Sequence, residues 1–88
     1  MSKKSQYKEN ENLIYVVRYQ QKIEGQTLSG IYNFYKTYLS AQKGLQRLTD
    51  FYSRLGYTTE HKEDDFVKLT DNYDGTLKAY VSPQYIEP

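Results

Sequence analysis

The chain has 88 residues, with 12 Lys and Arg against 11 Asp and Glu, one histidine and no cysteine, a length that fits one small domain. That inventory excludes a disulfide framework and thiolate chemistry, leaves His61 alone for any imidazole role, and supplies no global field to draw the chain to duplex DNA or an anionic membrane. A domain of this size buries only about 60 to 65% of its unfolded surface, and eleven of its hydrophobic residues are tyrosines, so the purely apolar supply is thin and a partner chain would help to cover what is left open.

Residues 1 to 12, MSKKSQYKENEN, hold one large apolar side chain after the first Met, too little to offset the entropy of ordering them. A flexible lead-in to a single domain over 13–88 is expected. Nothing in it reads as the apolar core of a signal peptide, and no run approaches the roughly 20 apolar residues of a membrane span. The expectation is a cytoplasmic protein with no membrane contact. Two alanines among abundant Lys, Asn, Tyr, Ile, Asp and Glu match the bias that AT-rich coding tends to produce, so a small accessory gene of a low-GC bacterium, a mobile element or a phage is the expected origin.

From Leu13 the run LIYVVRY is β-branched and aromatic, Glu24-Gly25 is a turn signal, and TLSGIYNFYKTY repeats the enrichment. This predicts a hairpin with strands near 13–22 and 27–37. Its register stays open, because Ile14 and Val16 make one acceptable core face and Leu13, Tyr15 and Val17 the other. Gly30 is the candidate for a bulge that resets the alternation. Ser40 before AQKGLQRLTDFYSRL and Gly56 after it predict a helix with a hydroxyl N-cap and a left-handed C-terminal glycine. At about 100° per residue, Ala41, Leu45, Leu48, Tyr52 and Leu55 share one stripe, while Lys43, Arg47, Asp50 and Arg54 share the opposite side. Gly44 costs about 1 kcal/mol inside a helix, which points to close packing on the sheet or to simple tolerance.

The segment GYTTEHKEDD reads as a polar connection or edge segment facing solvent. In FVKLTDNYDGTLKAYV, Tyr73-Asp74-Gly75 matches a three-residue hairpin loop with Gly in the left-handed position. Pairing across it sets Val67 opposite Val81 and Leu69 opposite Ala79, with Leu77 on the same face and Lys68, Thr70, Lys78 and Tyr80 on the other. Pro83 has no N–H for a ladder, so the last strand lies at an edge by then or has ended. The sum is an α+β fold, ββαββ, with a four-stranded antiparallel sheet and one amphipathic helix packed on one face. The other sheet face stays open.

Chemistry-bearing constellations are few. His61 with Glu60, Glu63, Asp64 and Asp65 lacks a second ordered nitrogen or a thiolate for zinc. Residues 70–75 resemble a calcium loop only until Thr70 and Val81 stand where carboxylates are needed. No phosphate loop, nucleophile elbow or zinc-protease motif occurs. The expectation is a protein with no cofactor, no metal and no enzymatic activity.

Lys43, Arg47 and Arg54, with Lys36 nearby, could follow a phosphate backbone or an acidic protein surface, or form a plain solvated face. Eleven tyrosines cannot all enter so small a core, since each hydroxyl needs a partner, so several among Tyr15, Tyr19, Tyr32, Tyr35, Tyr38 and Tyr80 are expected on the surface or the open sheet face. Such tyrosines can anchor a protein interface, stack single-stranded bases among Arg18, Lys36, Lys68 and Lys78, or stand in for Phe and Leu at half-buried positions. The aromatic signature of RNA-recognition strands is absent. The candidate partner-binding set is Tyr15, Tyr32, Tyr35, Tyr80, Lys43, Arg47 and Arg54. The first expectation is a non-enzymatic module that covers the surface of a larger protein. The second is a single-stranded nucleic-acid binder using the tyrosine face and the helix stripe, and the third a homodimer joined through open sheet faces or edge strands.

Overall fold

The computed structural model describes residues 12–72 and 75–86. The lead-in, apart from Asn12, and residues 73 and 74 of the last loop lie outside the described residues. The elements are β1 (Leu13–Ile23), β2 (Gln26–Tyr35), α1 (Tyr38–Arg54), β3 (Thr58–Glu63), β4 (Phe66–Thr70) and β5 (Thr76–Tyr85). They form an α+β fold in which one helix packs on a five-stranded sheet of order β2-β1-β5-β4-β3, antiparallel throughout.

The expected four strands are therefore five. The added strand, β3, comes from the polar segment TTEHKE, every residue of which is exposed. It has no apolar alternation because it buries nothing. It forms because Asp64 and Asp65 turn the chain straight back, setting Glu63 opposite Phe66.

The β1–β2 hairpin closes through Glu24 and Gly25, both with positive φ (51° and 81°), the two-residue turn whose twist matches that of paired strands. A bulge does occur in β2, but not at Gly30. Val17 pairs with Asn33 and Arg18 with Ile31, so Tyr32 is the extra residue. Gly30 lies opposite Tyr19, whose ring covers it so closely that a Cβ would stand 2.7 Å from the hydroxyl oxygen.

Thr37, not Ser40, caps the helix, its Oγ1 accepting the Ser40 N–H at 3.0 Å. Both residues are competent caps. The earlier start adds Tyr38 to the first turn, where its ring meets Tyr15 edge-on at 5.7 Å. At the other end the Tyr57 N–H donates to the Tyr52 carbonyl (3.0 Å) and the Gly56 N–H to that of Ser53 (3.1 Å), with Gly56 at φ 104°. This is the paired-bond ending that a left-handed glycine permits.

Ala41, Gly44, Leu45, Leu48 and Thr49 form the buried helix face. Leu55, expected on that stripe, is 60% exposed, because at the C-cap the chain has already left the helical path. Thr49 satisfies its hydroxyl on the Leu45 carbonyl at 2.8 Å.

The helix stripe meets Val17, Val67, Leu69, Leu77, Ala79 and Val81 from the sheet, with Tyr15, Tyr19, Tyr35, Tyr52 and Tyr57 packed around them. Tyrosines thus extend a core that the aliphatic residues are too few to complete. Tyr52 is half-buried, its ring edge-on to Tyr57 at 5.2 Å. Burial, then the neighbouring Tyr19 and Tyr57 hydroxyls, push its own hydroxyl above the ordinary value. In the unfolded chain a tyrosine ionises near pH 10, whereas folded Tyr52 still holds its proton. The folded state then binds more protons, so this contribution to stability is present below about pH 10 and is lost as pH rises through the folded value. Thermal melts above about pH 10 should fall less steeply with pH for Tyr52→Phe than for the wild type, and equal slopes would refute this assignment.

The last hairpin also departs from expectation. Val67 pairs with Ala79 and Leu69 with Leu77, not with Val81 and Ala79. A shift of two residues leaves every side chain on its expected face. The loop is five residues long, 71–75, because Asp71 closes it: its N–H donates to the Gly75 carbonyl (3.1 Å) and its Oδ1 accepts the Gly75 N–H (2.8 Å). Gly75 is buried and pressed against the Asp71 carboxylate.

β1 and β5 pair along their length, placing the two ends of the domain side by side at the centre of the sheet. The Val81 N–H donates to the Asp65 carbonyl at 2.9 Å. Two residues on, Pro83 points the same way, past the start of β4, where no donor is needed. Beyond it Tyr85 and Ile86 remain exposed, although the Ile86 N–H reaches the Asn12 carbonyl at 2.7 Å.

Candidate nucleic-acid interface on the open sheet face

Because Val17 and Tyr19 turn toward the helix, alternation sends Val16, Arg18, Gln20 and Lys22 of β1 to the opposite face. The pairing adds Lys78, Tyr80, Ser82 and Gln84 from β5 and Phe66, Lys68 and Thr70 from β4. Ile31 and Phe34 of β2, opposite Arg18 and Val16, complete it. Across these four strands the face carries four cations and no carboxylate. The acids Glu60 and Glu63 enter only from β3 at its margin.

Two features of the face follow from register. Lys68 stands directly opposite Lys78, and Lys22 lies next along on β1, opposite Thr76. Lys22, Lys68 and Lys78, from three adjacent strands, line with Gln20, Thr27 and Thr76 a depression of about 210 Å³. Like charges opposed across a ladder are destabilising. Glu60 approaches Lys68 at 3.4 Å, both side chains partly exposed, a pair that offsets little. Among the described residues no ion pair engages Lys22 or Lys78.

Beside it lies a larger depression of about 480 Å³, lined by Arg18, Gln20, Ile31, Phe66, Lys78 and Tyr80 among others. Tyr80 stands between Arg18 on one neighbouring strand and Phe66 on the other, and is 40% exposed. The Arg18 guanidinium donates to Gln84 Oε1 at 3.0 Å. To do so it must pass over the Val16–Ser82 pair, and Val16 is fully buried despite facing away from the helix. The arrangement offers fixed positive charge, hydroxyl and amide donors, and an aromatic platform on one surface.

The candidate residues are divided by the fold. Tyr80 belongs to this face, and Tyr32 is the exposed bulge residue at the β2 edge. Tyr15 and Tyr35 are half-buried on the helix side. Lys43, Arg47 and Arg54 are exposed on the outer side of the helix, across the molecule from Tyr80. Sequence reasoning missed Lys22 and Phe66. The spacing of Arg18, Gln20 and Lys22 at every second position was a usable signal for the first; Phe66 needed the β4–β5 register.

The acidic segment pairs internally. His61 Nε2 meets Glu63 Oε2 at 2.7 Å, and the His61 ring lies 5.9 Å from that of Phe66. Lys62 turns toward the helix and donates to Gln46 Oε1 at 2.6 Å. Among the described residues no group of three or more His, Cys, Asp or Glu is placed to hold a metal ion, and no helix is long and apolar enough to cross a membrane.

Compared with protein-family models, with curated proteins and with solved structures, the chain matches none.

Proposed function

We propose that the open sheet face binds single-stranded nucleic acid without catalysis, phosphates lying against Lys22, Lys68 and Lys78 while a base stacks on Tyr80. The observation that carries this reading is the Lys68–Lys78 cross-strand pair beside an exposed aromatic ring. Opposed lysines cost stability in the free protein, and an anion laid between them relieves that cost. A flexible single strand can present phosphates to the lysines and turn a base onto Tyr80, whereas the paired bases of a duplex keep their faces stacked. An acidic protein surface is the alternative occupant, but the tyrosines that would anchor it are split between the two sides of the sheet.

The test is fluorescence anisotropy with a labelled oligothymidylate of about 15 nucleotides, within the usual site size of such grooves. Three or four phosphate contacts predict that log K falls with log salt at a slope of about −2 to −3, and Lys78→Gln should flatten it by about 0.7. Tyr80→Ala should weaken binding roughly tenfold or more, with circular dichroism unchanged. Lys43→Gln and Arg47→Gln, across the molecule, should leave both quantities alone. Absence of binding at low salt, or binding indifferent to Lys78 and Tyr80, would reject the reading and return the face to an acidic protein partner.

A further inference from the structure

We infer that β2 is a self-association edge, pairing antiparallel with β2 of a second copy about a two-fold axis normal to the sheet. The two edges of the sheet are built differently. β3 carries Glu60, His61, Lys62 and Glu63 among its six residues, with a register break between Thr59 and His61. These are devices that keep an edge from pairing. β2 has ten residues, QTLSGIYNFY, and none is charged. Leu28 is 62% exposed, Phe34 55%, Ile31 43% and Tyr32 42%. A long uncharged edge flanked by apolar side chains is a template for another strand.

The guarded edge also selects the occupant. If β2 paired head-to-tail with β3 of the next copy, the contact would not close and would propagate; the charges and break of β3 oppose it. Pairing of β2 with itself brings no like charges together and closes at two copies. The bulge at Tyr32 confines the ladder to residues 26–31, a stretch of about 20 Å at the usual rise. So short an interface falls at the weak end of specific association, giving a concentration-dependent monomer–dimer exchange. A two-fold axis normal to the sheet keeps both open faces on one side, so the depression bordered by Ser29, Gly30 and Ile31 would adjoin its counterpart across the axis. The inference itself does not require the nucleic-acid reading.

Sedimentation equilibrium without nucleic acid tests it. The mass should rise with concentration from the 10.5 kDa of one chain toward twice that value. Leu28 lies opposite Gln21, on the helix-bearing side of the edge and away from the open face, and Leu28→Glu should hold the protein at a single-chain mass with unchanged circular dichroism. Because the chain has no cysteine, single cysteines placed in turn at Thr27, Leu28, Ser29 and Ile31 report the axis directly, since a two-fold antiparallel pairing sets one residue opposite its own copy: at least one should give a disulfide-linked dimer on mild oxidation, and one at Thr59 on β3 should not. A wild type that stays at one chain mass into the millimolar range overturns the inference, as does a dimer that Leu28→Glu leaves intact. Loss of oligonucleotide binding with the dimer preserved would reject only the nucleic-acid reading.

Discussion

Leu69→Ala is expected to cost about 2–5 kcal/mol, the range for emptying a fully buried leucine site whose surroundings relax only in part. Leu69 has no exposed surface, lies opposite Leu77, and belongs to the cluster beneath the helix. A domain of this length has a total stability of only about 4–13 kcal/mol at the usual 0.05–0.15 kcal/mol per residue, so one such loss brings it close to unfolding. Urea denaturation should show a lower midpoint with an unchanged slope. Leu55→Ala is the control: at 60% exposure it should change stability by no more than about 0.5 kcal/mol. Equal costs at the two sites would mean that the core lies elsewhere.

Gly44→Ala should destabilise the protein by about 1–3 kcal/mol through overpacking, although alanine is the better helix former by about 1 kcal/mol. Gly44 is buried on the sheet-facing side of the helix, and a Cβ there would stand 2.8 Å from Tyr35 Cε2 and closer still to the ring Cζ and hydroxyl. Tyr35 is half-buried in the core and lies opposite Tyr15, which limits how far its ring can retreat. The cause can be isolated by a double-mutant cycle. In a Tyr35→Ala background the same glycine substitution should become neutral or stabilising. If its cost persists without the tyrosine ring, the explanation by close packing fails.

The same pair shows where sequence reading stops. A glycine inside a helical pattern was consistent with close packing or with tolerance, and no local rule chooses between them; the choice is made by a tyrosine nine positions earlier on another element. Gly30 behaves alike. The sequence offers Gly30 as the bulge, but the extra residue is Tyr32, and Gly30 itself serves to admit the Tyr19 ring. Both glycines therefore help to explain the tyrosine content, since part of it replaces aliphatic core by rings laid against Cα atoms.

Elements with strong periodicity are readable in the sequence: the helix, although it starts about one turn before the expected Ser40 cap, its left-handed glycine end, and the division of β4 and β5 into an apolar and a cationic face. Periodicity reports burial, so a strand that buries nothing is silent. That is why the sequence of β3 reads only as a polar connection or edge segment and not as a fifth strand. The candidate site was legible only in its ingredients. Tyr80, Lys68 and Lys78 share a face by alternation within one hairpin. Arg18 and Lys22 join them only because β1 pairs with β5 across more than fifty residues of intervening chain.

Composition, alternation and capping chemistry by themselves determined an α+β domain with one amphipathic helix, two hairpins and an uncovered sheet face, because these depend on residues close in the chain. Tertiary structure alone decided the strand order, the two-residue shift in the last hairpin, and which edge is left unguarded. It also separated the helix cations from Tyr80 and gathered three lysines on one surface. Those outcomes rest on pairings between distant segments, whose free energy comes from burying the helix stripe and joining ladders, and no short stretch of sequence contains both partners.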